Sequence, residues 1–259
     1  MSELIAVCIP AYNEEGQIAK IIVQAKKHAN KILVCDDGST DLTGKIAKSL
    51  NVQLIRHEKN LGKGEAIRSL INEVKKLKPK VVVFIDGDGQ NDPDDIPRVA
   101  KGILDGEADV IIGIRSMNSD EMPKHRIYGI KLLNRLISKK GNHTFRDTQS
   151  GFRAYSLSAL EKISFSESGM AIESQTIINI AKLDLRVKEV PISVTYQGIP
   201  RKRSLIIQFS EIIDYLISRT VADSPLLFLG IPGLFSIIFG GIAWLRVYNI
   251  YTDTSQIAV

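Results

Sequence analysis

The sequence predicts an α/β fold, a mostly parallel sheet flanked by helices, followed by an amphipathic interface helix and a transmembrane helix. Three observations predict it. Short apolar runs alternate with amphipathic stretches over the first 112 residues, the pattern of parallel strands joined by covering helices. Three of those runs end in acidic, polar segments, PAYNEE, DDGSTD and DGDGQ. Near the C-terminus, residues 225–245 run for 21 residues without a charge, long enough to cross a bilayer core.

Taken in order, strands are expected at 4–9, 31–35, 52–57, 81–85 and 109–112, with helices between them at 16–28, 40–50, 63–76 and 94–105. Ser39, Thr40 and Asp41 stand where a helix N-cap belongs. Pro93 stands near the first turn of the fourth helix, and Asp92, Asp94 and Asp95 read as a solvated turn and helix start. Beyond Ile112 the regularity weakens and arginines multiply: Arg115, Arg126, Arg135, Arg146 and Arg153. Residues 204–221, SLIIQFSEIIDYLISRTV, carry apolar side chains at helical spacing just before the uncharged run. That pattern reads as a helix lying on a bilayer surface, or as an ordinary packing helix. Pro232 and the glycines around it are better tolerated in lipid than in a soluble helix. The expected organisation is an α/β domain over 1–203, the interface helix over 204–221 and a membrane helix over 225–246. Residues 247–259 are a short tail or the start of a truncated membrane region. The first residues lack the basic and apolar regions of a secretory signal, so the α/β domain is expected to face the cytoplasm.

Lys and Arg number 34 against 29 Asp and Glu, a net charge of +5. This excess is small and spread out; it favours anionic ligands or a membrane surface and does not call for nucleic acid. The two cysteines, Cys8 and Cys35, lie inside expected strands with no CxxC or Cys/His cluster, which argues against zinc and for buried thiols in a reducing compartment. His28, His57, His125 and His143 are scattered with no orienting partner evident in the sequence. The P-loop pattern GxxxxGK[ST] is absent.

Asp86 and Asp88 follow an expected strand at i and i+2, with only a glycine between them. Two carboxylates this close repel unless a cation lies between them. Mg2+ or Mn2+ takes oxygen ligands, usually one or two protein carboxylates completed by phosphates and waters. Asp86, Asp88 and Gln90 therefore point to a metal that itself holds a phosphate. The alternative is the polar turn any buried strand needs in order to surface. Ligands of α/β sheets bind outside the carboxyl ends of the strands, so the three acidic segments are expected to converge on one edge. Lys63, in NLGKG at the start of a helix, meets phosphate there or remains a surface lysine.

The segments VCIPAYNEEGQI, ILVCDDGSTD, NLGKGEAI, FIDGDGQNDP and DTQSGFRAYS occur in the order seen in family 2 inverting glycosyltransferases. Over residues 4–221 the chain resembles that family, in particular its dolichyl-phosphate mannose synthase and polyprenyl-phosphate branch. The resemblance implies a GT-A, Rossmann-like fold, a GDP- or UDP-sugar donor and a divalent cation. It implies that Pro10, Ala11, Tyr12, Asn13, Glu14, Asp36 and Asp37 hold the base and ribose; Asp36 and Asp37 would otherwise cap the next helix. It assigns Asp86, Asp88 and Gln90 to the metal, places Lys63, Asp86, Gly87, Asp88 and Arg201 against the donor, and makes Asp88 catalytic. Gly87 and Gly89 stand where relatives often carry Ala and Leu.

The implied acceptor is dolichyl or another polyprenyl phosphate. A phosphate monoester, with a second pKa of about 6, is mostly dianionic near neutrality. It can attack an anomeric carbon without the general base that a sugar hydroxyl needs. Arginine forks suit such phosphates. By the resemblance, Arg115 and Arg126 bind the acceptor phosphate and serve catalysis, and Arg201 and Arg203 belong to a basic loop, Arg203 toward the acceptor. The alternative for Arg201 and Arg203 is anchoring to anionic lipid. Asp147, Gln149, Arg153 and Glu173 are assigned to the sugar or to loop support, for which an Asp147–Arg153 ion pair is one arrangement.

The reading is of a membrane enzyme that makes a lipid-phosphate-linked sugar, with membrane lipid as partner and a homo-oligomer through the membrane segment as a further expectation. Two functions compete with it. A transferase acting on a sugar hydroxyl, as in polysaccharide synthesis, is disfavoured because a QxxRW signature is absent and the sole tryptophan, Trp244, lies in the apolar span. A noncatalytic nucleotide-binding scaffold would not need the intact Asp86, Asp88 and Gln90.

Overall fold

A computed structural model of the chain describes residues 4–115, 145–165, 171–183, 185–195, 221 and 226–257. Apart from Val221, the expected interface helix over 204–221 lies outside the described residues, as do Arg126, Arg201 and Arg203. Seven strands form one sheet: β1 (Ile5–Ala11), β2 (Lys31–Asp36), β3 (Gln53–Arg56), β4 (Val81–Phe84), β5 (Val110–Arg115), β6 (Arg153–Ser156) and β7 (Val187–Ile192). Their order is β3-β2-β1-β4-β6-β5-β7. The first four strands are parallel, β6 runs antiparallel to both β4 and β5, and β7 is parallel to β5. The expected parallel sheet is thus present on one side and becomes mixed on the other, where the arginine-rich part of the chain folds back between β4 and β5.

The connecting helices are α1 (Ile18–Ala25), α2 (Thr43–Ser49), α3 (Lys63–Lys76), α4 (Ile96–Leu104), α5 (Leu157–Lys162) and α6 (Ala171–Lys182). In α1 the buried residues Ile18, Ile21, Ile22 and Ala25 follow the i, i+3, i+4, i+7 spacing of one helical face. Ile96, Val99, Ala100 and Ile103 do the same in α4. Both stripes pack against Val7, Ile9, Val34, Val83 and Ile111 on one face of the sheet. Each such fully buried aliphatic side chain contributes roughly 1.5–3 kcal/mol. Strand residues alternate in direction, so Cys8, Leu33, Cys35, Val82 and Phe84 face the other side, where α3 packs on β1 and β2.

Helix α2 begins at Thr43, three residues after the expected start, because Ser39 and Thr40 are engaged elsewhere: Ser39 Oγ accepts from Asn13 N, and Thr40 N donates to Asn13 Oδ1. Nor is the acidic run before α4 uniformly solvated. Asp92 caps the 3-10 turn Pro93–Asp95 through Asp94 N, but Asp95 is buried, 3.0 Å from Arg98, and accepts from Ser193 N at 2.6 Å. The carboxylate ties α4 to the segment after β7, a contact that local sequence does not announce.

Both thiols are free and buried, as expected. Burial raises the Cys8 thiol far above the usual range, and burial followed by the Asp37 charge pushes Cys35 up to about 12. Above the ordinary value of 9.0 the unfolded chain releases protons that the folded chain keeps, so the thiols lower stability as pH rises. Native protein at pH 8 is expected to resist iodoacetamide at both positions and to take up two labels after denaturation, which mass spectrometry reads directly.

Residues up to Ser204 form one compact unit and those from Leu205 a second. In the second, a π-helical turn (Leu226–Gly230) leads into α7 (Ile231–Ile257). A candidate membrane span covers Ile231–Thr252, 22 residues, later than the 225–246 read from composition. Leu234, Phe235, Ile237, Phe239, Ile242 and Trp244 are all exposed, so residues 231–245 of α7 are apolar around the circumference, as a lipid-embedded helix is. Trp244 stacks on Tyr248 at 5.6 Å, flanking Arg246. Aromatic rings beside an arginine are the composition of a membrane–water interface, and an interface at Trp244–Tyr248 would end the lipid-embedded stretch short of Thr252, inside the candidate span. Because Trp244 is the only tryptophan, its fluorescence in nanodiscs is expected to be quenched most by lipids brominated near the headgroup. Strongest quenching from the bilayer centre would refute this placement.

Candidate active site

The loops after β1, β2 and β4 meet at the carboxyl edge of the sheet, as the strand order β2-β1-β4 requires. The first two are laced together. Asn13, at φ 55°, reaches Ser39 and Thr40; Glu14 N donates to Thr43 Oγ1, Glu15 N to Asp41 Oδ2, and Leu42 N to Glu15 Oε2. The third loop joins them through Gly87 N, which donates to Pro10 O at 3.2 Å. Ala11 is buried at the end of β1, and Tyr12 beside it is exposed at the rim.

Asp36 and Asp37 are both buried but occupied differently. Asp36 Oδ1 accepts from Ser39 N, while Oδ2 lies 3.4 Å from Arg56 Nε and has no hydrogen bond among the described residues. A methyl group on Gly44 would sit 2.2 Å from that oxygen, so the carboxylate is seated against the start of α2. Asp37 accepts from three protein donors: His57 Nδ1 at 2.7 Å, Leu61 N at 2.9 Å and Gly62 N at 2.8 Å. His57 also meets Ser69 Oγ through Nε2 at 2.9 Å. The sequence showed no orienting partner for His57; the fold supplies Asp37 and Ser69, with Cys35 Sγ 3.6 Å from Nε2. Gly38, at φ 72°, lets Lys59 and Asn60 approach so closely that any side chain there would overlap their backbone. The DDGS turn therefore clamps the loop that ends at Lys63.

Lys63, the first residue of α3, carries its ammonium to Asp86 Oδ1 at 2.7 Å and to Glu173 Oε1 at 2.5 Å. Burial alone would lower its pKa, but the two carboxylates outweigh that and raise it. Asp86 also lies on Gly151: a Cβ at that position would be 2.4 Å from Asp86 Oδ2. Asp88 Oδ1 accepts from Gln90 N at 3.0 Å, and Gln90 O accepts from Thr195 N at 2.8 Å, which holds the DGDGQ loop against the segment after β7. Among the described residues no three His, Cys, Asp or Glu side chains are grouped for a metal. Two carboxylates and an amide suit Mg2+ or Mn2+ whose remaining ligands come from phosphate and water. A half-buried ammonium already seated on Asp86 shows that this position accepts positive charge.

Arg115, at the end of β5, forms a two-pronged ion pair with Asp147: Nε to Oδ2 at 2.6 Å and Nη2 to Oδ1 at 2.7 Å. The alternative of an Asp147–Arg153 pair is therefore replaced. Arg153 is buried and donates to the carbonyls of Thr148 at 2.8 Å and Glu173 at 3.3 Å. The change has a topological cause, since β5 delivers Arg115 beside the loop leading into β6. Gln149 Nε2 donates to Ser174 Oγ at 2.9 Å, binding the same loop to α6. Beneath the Lys63 cluster is a cavity of about 30 Å3, with Lys63, Asp86, Arg153, Tyr155 and Glu173 among its walls, large enough for water and too small for a sugar. Glu173 Oε2 and Arg153 Nε have no hydrogen-bond partner among the described residues.

The structure thus brings Lys63, Asp86, Gly87, Asp88, Gln90, Gly151 and Glu173 to one edge, with the 10–14 and 36–39 turns alongside and the Arg115–Asp147 pair on β5. Sequence reasoning missed the roles of Gly151 and His57. The only local hints were a glycine two residues before Arg153 and a histidine closing the third strand.

The family model described as glycosyl transferase family 2 matches residues 6–164. The UDP-N-acetylglucosamine–dolichyl-phosphate N-acetylglucosaminyltransferase of Methanococcus voltae is 33% identical over 217 residues, covering 75% of this chain and 86% of that protein. Glycosyltransferase AglJ of Haloferax volcanii is 28% identical over 256 residues, covering 94% and 82% respectively. Among solved structures, glucosyl-3-phosphoglycerate synthase of Mycobacterium tuberculosis, in complex with Mn2+, UDP and glucosyl-3-phosphoglycerate, superposes with a TM-score of 0.65 at 24% identity. The match covers 84% of this chain and 80% of that one, a likeness of fold. Matched by the family model over more than half its length and identical to the Methanococcus enzyme at 33% of 217 aligned residues, the chain belongs to glycosyl transferase family 2.

Proposed function

We propose that this glycosyltransferase moves one sugar, with inversion, from a nucleotide-sugar to the phosphate of dolichyl or another polyprenyl phosphate, in a reaction that depends on a divalent cation. The observation that carries the reading is the Lys63–Asp86–Glu173 cluster beside Asp88, a charged edge built to receive a diphosphate and a cation. A relative named for a dolichyl-phosphate acceptor and a 22-residue apolar helix support the lipid side.

Asp86, Asp88 and Gln90 would hold the cation, whose charge eases departure of the nucleoside diphosphate. Lys63 adds a second positive charge to the donor phosphates. The 10–14 and 36–39 turns line the base and ribose, with Tyr12 exposed at the rim. Asp147 fixes the plane of Arg115, which, with Arg126 and Arg203, turns the acceptor phosphate toward the anomeric carbon; Arg201 closes on the donor. The acceptor oxygen forms the new bond as the bond from the anomeric carbon to the donor phosphate breaks on the opposite face. No side chain need take a proton, because the attacking phosphate is already ionised. The active site faces the cytoplasm. A second reading rests on Glu173, whose buried and partly unpartnered carboxylate has the chemistry of a general base for a hydroxyl acceptor.

Detergent-solubilised protein with Mg2+ or Mn2+, polyprenyl phosphate and a panel of UDP- and GDP-sugars tests the lipid reading, with UDP-N-acetylglucosamine tried first on the strength of the Methanococcus relative. The expected product, read by mass spectrometry, is one sugar on the lipid phosphate, lost in Asp88→Ala. Nucleotide binding with no lipid product across the panel would overturn the lipid reading.

A further inference from the structure

Lys63 is held by two carboxylates of different standing. Asp86 belongs to the DGDGQ loop and is about one-quarter exposed; Glu173 comes from α6 and is 4% exposed. Asp86 cannot turn away from Lys63 freely, because Gly151 lies against its other oxygen. The backbone of Lys63 is fixed as well, since Asp37 accepts from Leu61 N and Gly62 N, one and two residues before it, and is itself held by His57. What remains mobile is the four-carbon stem of the lysine, whose ammonium is a compact point charge able to change partners.

The edge carries three carboxylates, Asp86, Asp88 and Glu173, and Lys63 spans two of them. A second cation on Asp86 would face the ammonium at close range, where like charges repel strongly. The repulsion is relieved if the ammonium moves to a phosphate oxygen arriving with that cation. We propose that Lys63 is a placeholder cation: its ammonium leaves Asp86 for the donor diphosphate while Glu173 retains it, so cation and nucleotide bind well only together. The inference rests on the reading of Asp86 and Asp88 as cation ligands and adds that the site enforces joint binding.

Mn2+ binding to the full chain in detergent, followed by loss of the free-ion electron paramagnetic resonance signal with and without UDP or GDP, tests this without turnover. In the unaltered protein one of the nucleotides is expected to tighten Mn2+ binding at least about 10-fold, within the usual range of coupling between sites. Lys63→Met is expected to bind Mn2+ alone about 10-fold more tightly and to lose most of that enhancement. Lys63→Arg, which keeps the charge, is expected to bind Mn2+ alone as weakly as the parent. Equal Mn2+ affinity with and without either nucleotide in the unaltered protein would overturn the placeholder role, a result that needs no variant to fold. So would Lys63→Met binding Mn2+ alone no better than the parent. Failure of the ion to bind under any condition, or binding untouched by Asp88→Ala, would instead bring down the cation reading itself and the placeholder with it.

Discussion

Replacing Arg115 by methionine is expected to destabilise the α/β domain by about 3–5 kcal/mol, the cost of stranding one member of a buried ion pair. Asp147 is 1% exposed, and its carboxylate takes two charge-assisted hydrogen bonds from the Arg115 side chain. After the substitution the donors left to it among the described residues are the weaker backbone groups Arg115 N and Gln149 N, each at 3.3 Å. For a domain of this size the loss corresponds to a fall in melting temperature of roughly 10 °C. The double variant Arg115→Met/Asp147→Leu is expected to recover much of it, because removing both charges leaves no unpaired ion. Recovery is incomplete because those two backbone N–H groups lose their acceptor. Thermal unfolding of the three variants closes the cycle, and an Arg115→Met protein as stable as the parent would refute the pairing. Activity separates the roles further: if Arg115 also binds the acceptor, the double variant regains stability and not turnover.

The second large effect is expected at Gly151. Alanine there would place a carbon 2.4 Å from Asp86 Oδ2 and 2.9 Å from both Cγ and Oδ1. The carboxylate is the part able to yield, and yielding carries it off Lys63. A displacement of about 1 Å in a group that positions a reacting substrate can cost on the order of 100-fold in rate. Gly151→Ala is accordingly expected to lose at least about 100-fold in kcat/KM and to weaken Mn2+ binding, while unfolding within a few degrees of the parent. Gly16→Ala is the matched control, since no atom lies within 4 Å of the added carbon, although Gly16 directly follows the PAYNEE segment. Full activity in Gly151→Ala would mean that Asp86 is not held where the reaction needs it.

The parts of this protein legible in its sequence are those governed by near neighbours. Strands β1 to β5 and helices α1 to α4 announce themselves because side-chain direction repeats every two residues in a strand and every 3.6 in a helix. The segment Lys63–Lys76 is legible to the residue, because Ala66, Leu70, Ile71 and Val74 recur at helical spacing just after the NLG turn. Convergence of the acidic loops also followed from strand polarity, because consecutive parallel strands end at the same edge. The long uncharged run marks the candidate membrane span by composition alone.

Tertiary structure decided everything that depends on pairs distant in the chain. β6 lies between β4 and β5 only because residues 153–156 pair antiparallel with both, and short strands carry no record of their partners. That placement selects Arg115 over Arg153 for Asp147, sets Gly151 beneath Asp86, and leaves Arg153 among backbone carbonyls. Lys63 and Glu173 are 110 residues apart in sequence and meet because α3 and α6 pack on the same side of the sheet. The sequence by itself determined which chemical groups reach the edge, since a strand's end and its loop are local. Which carboxylate each cation holds is a matter of packing across the sheet, and periodicity within one element carries no information about it.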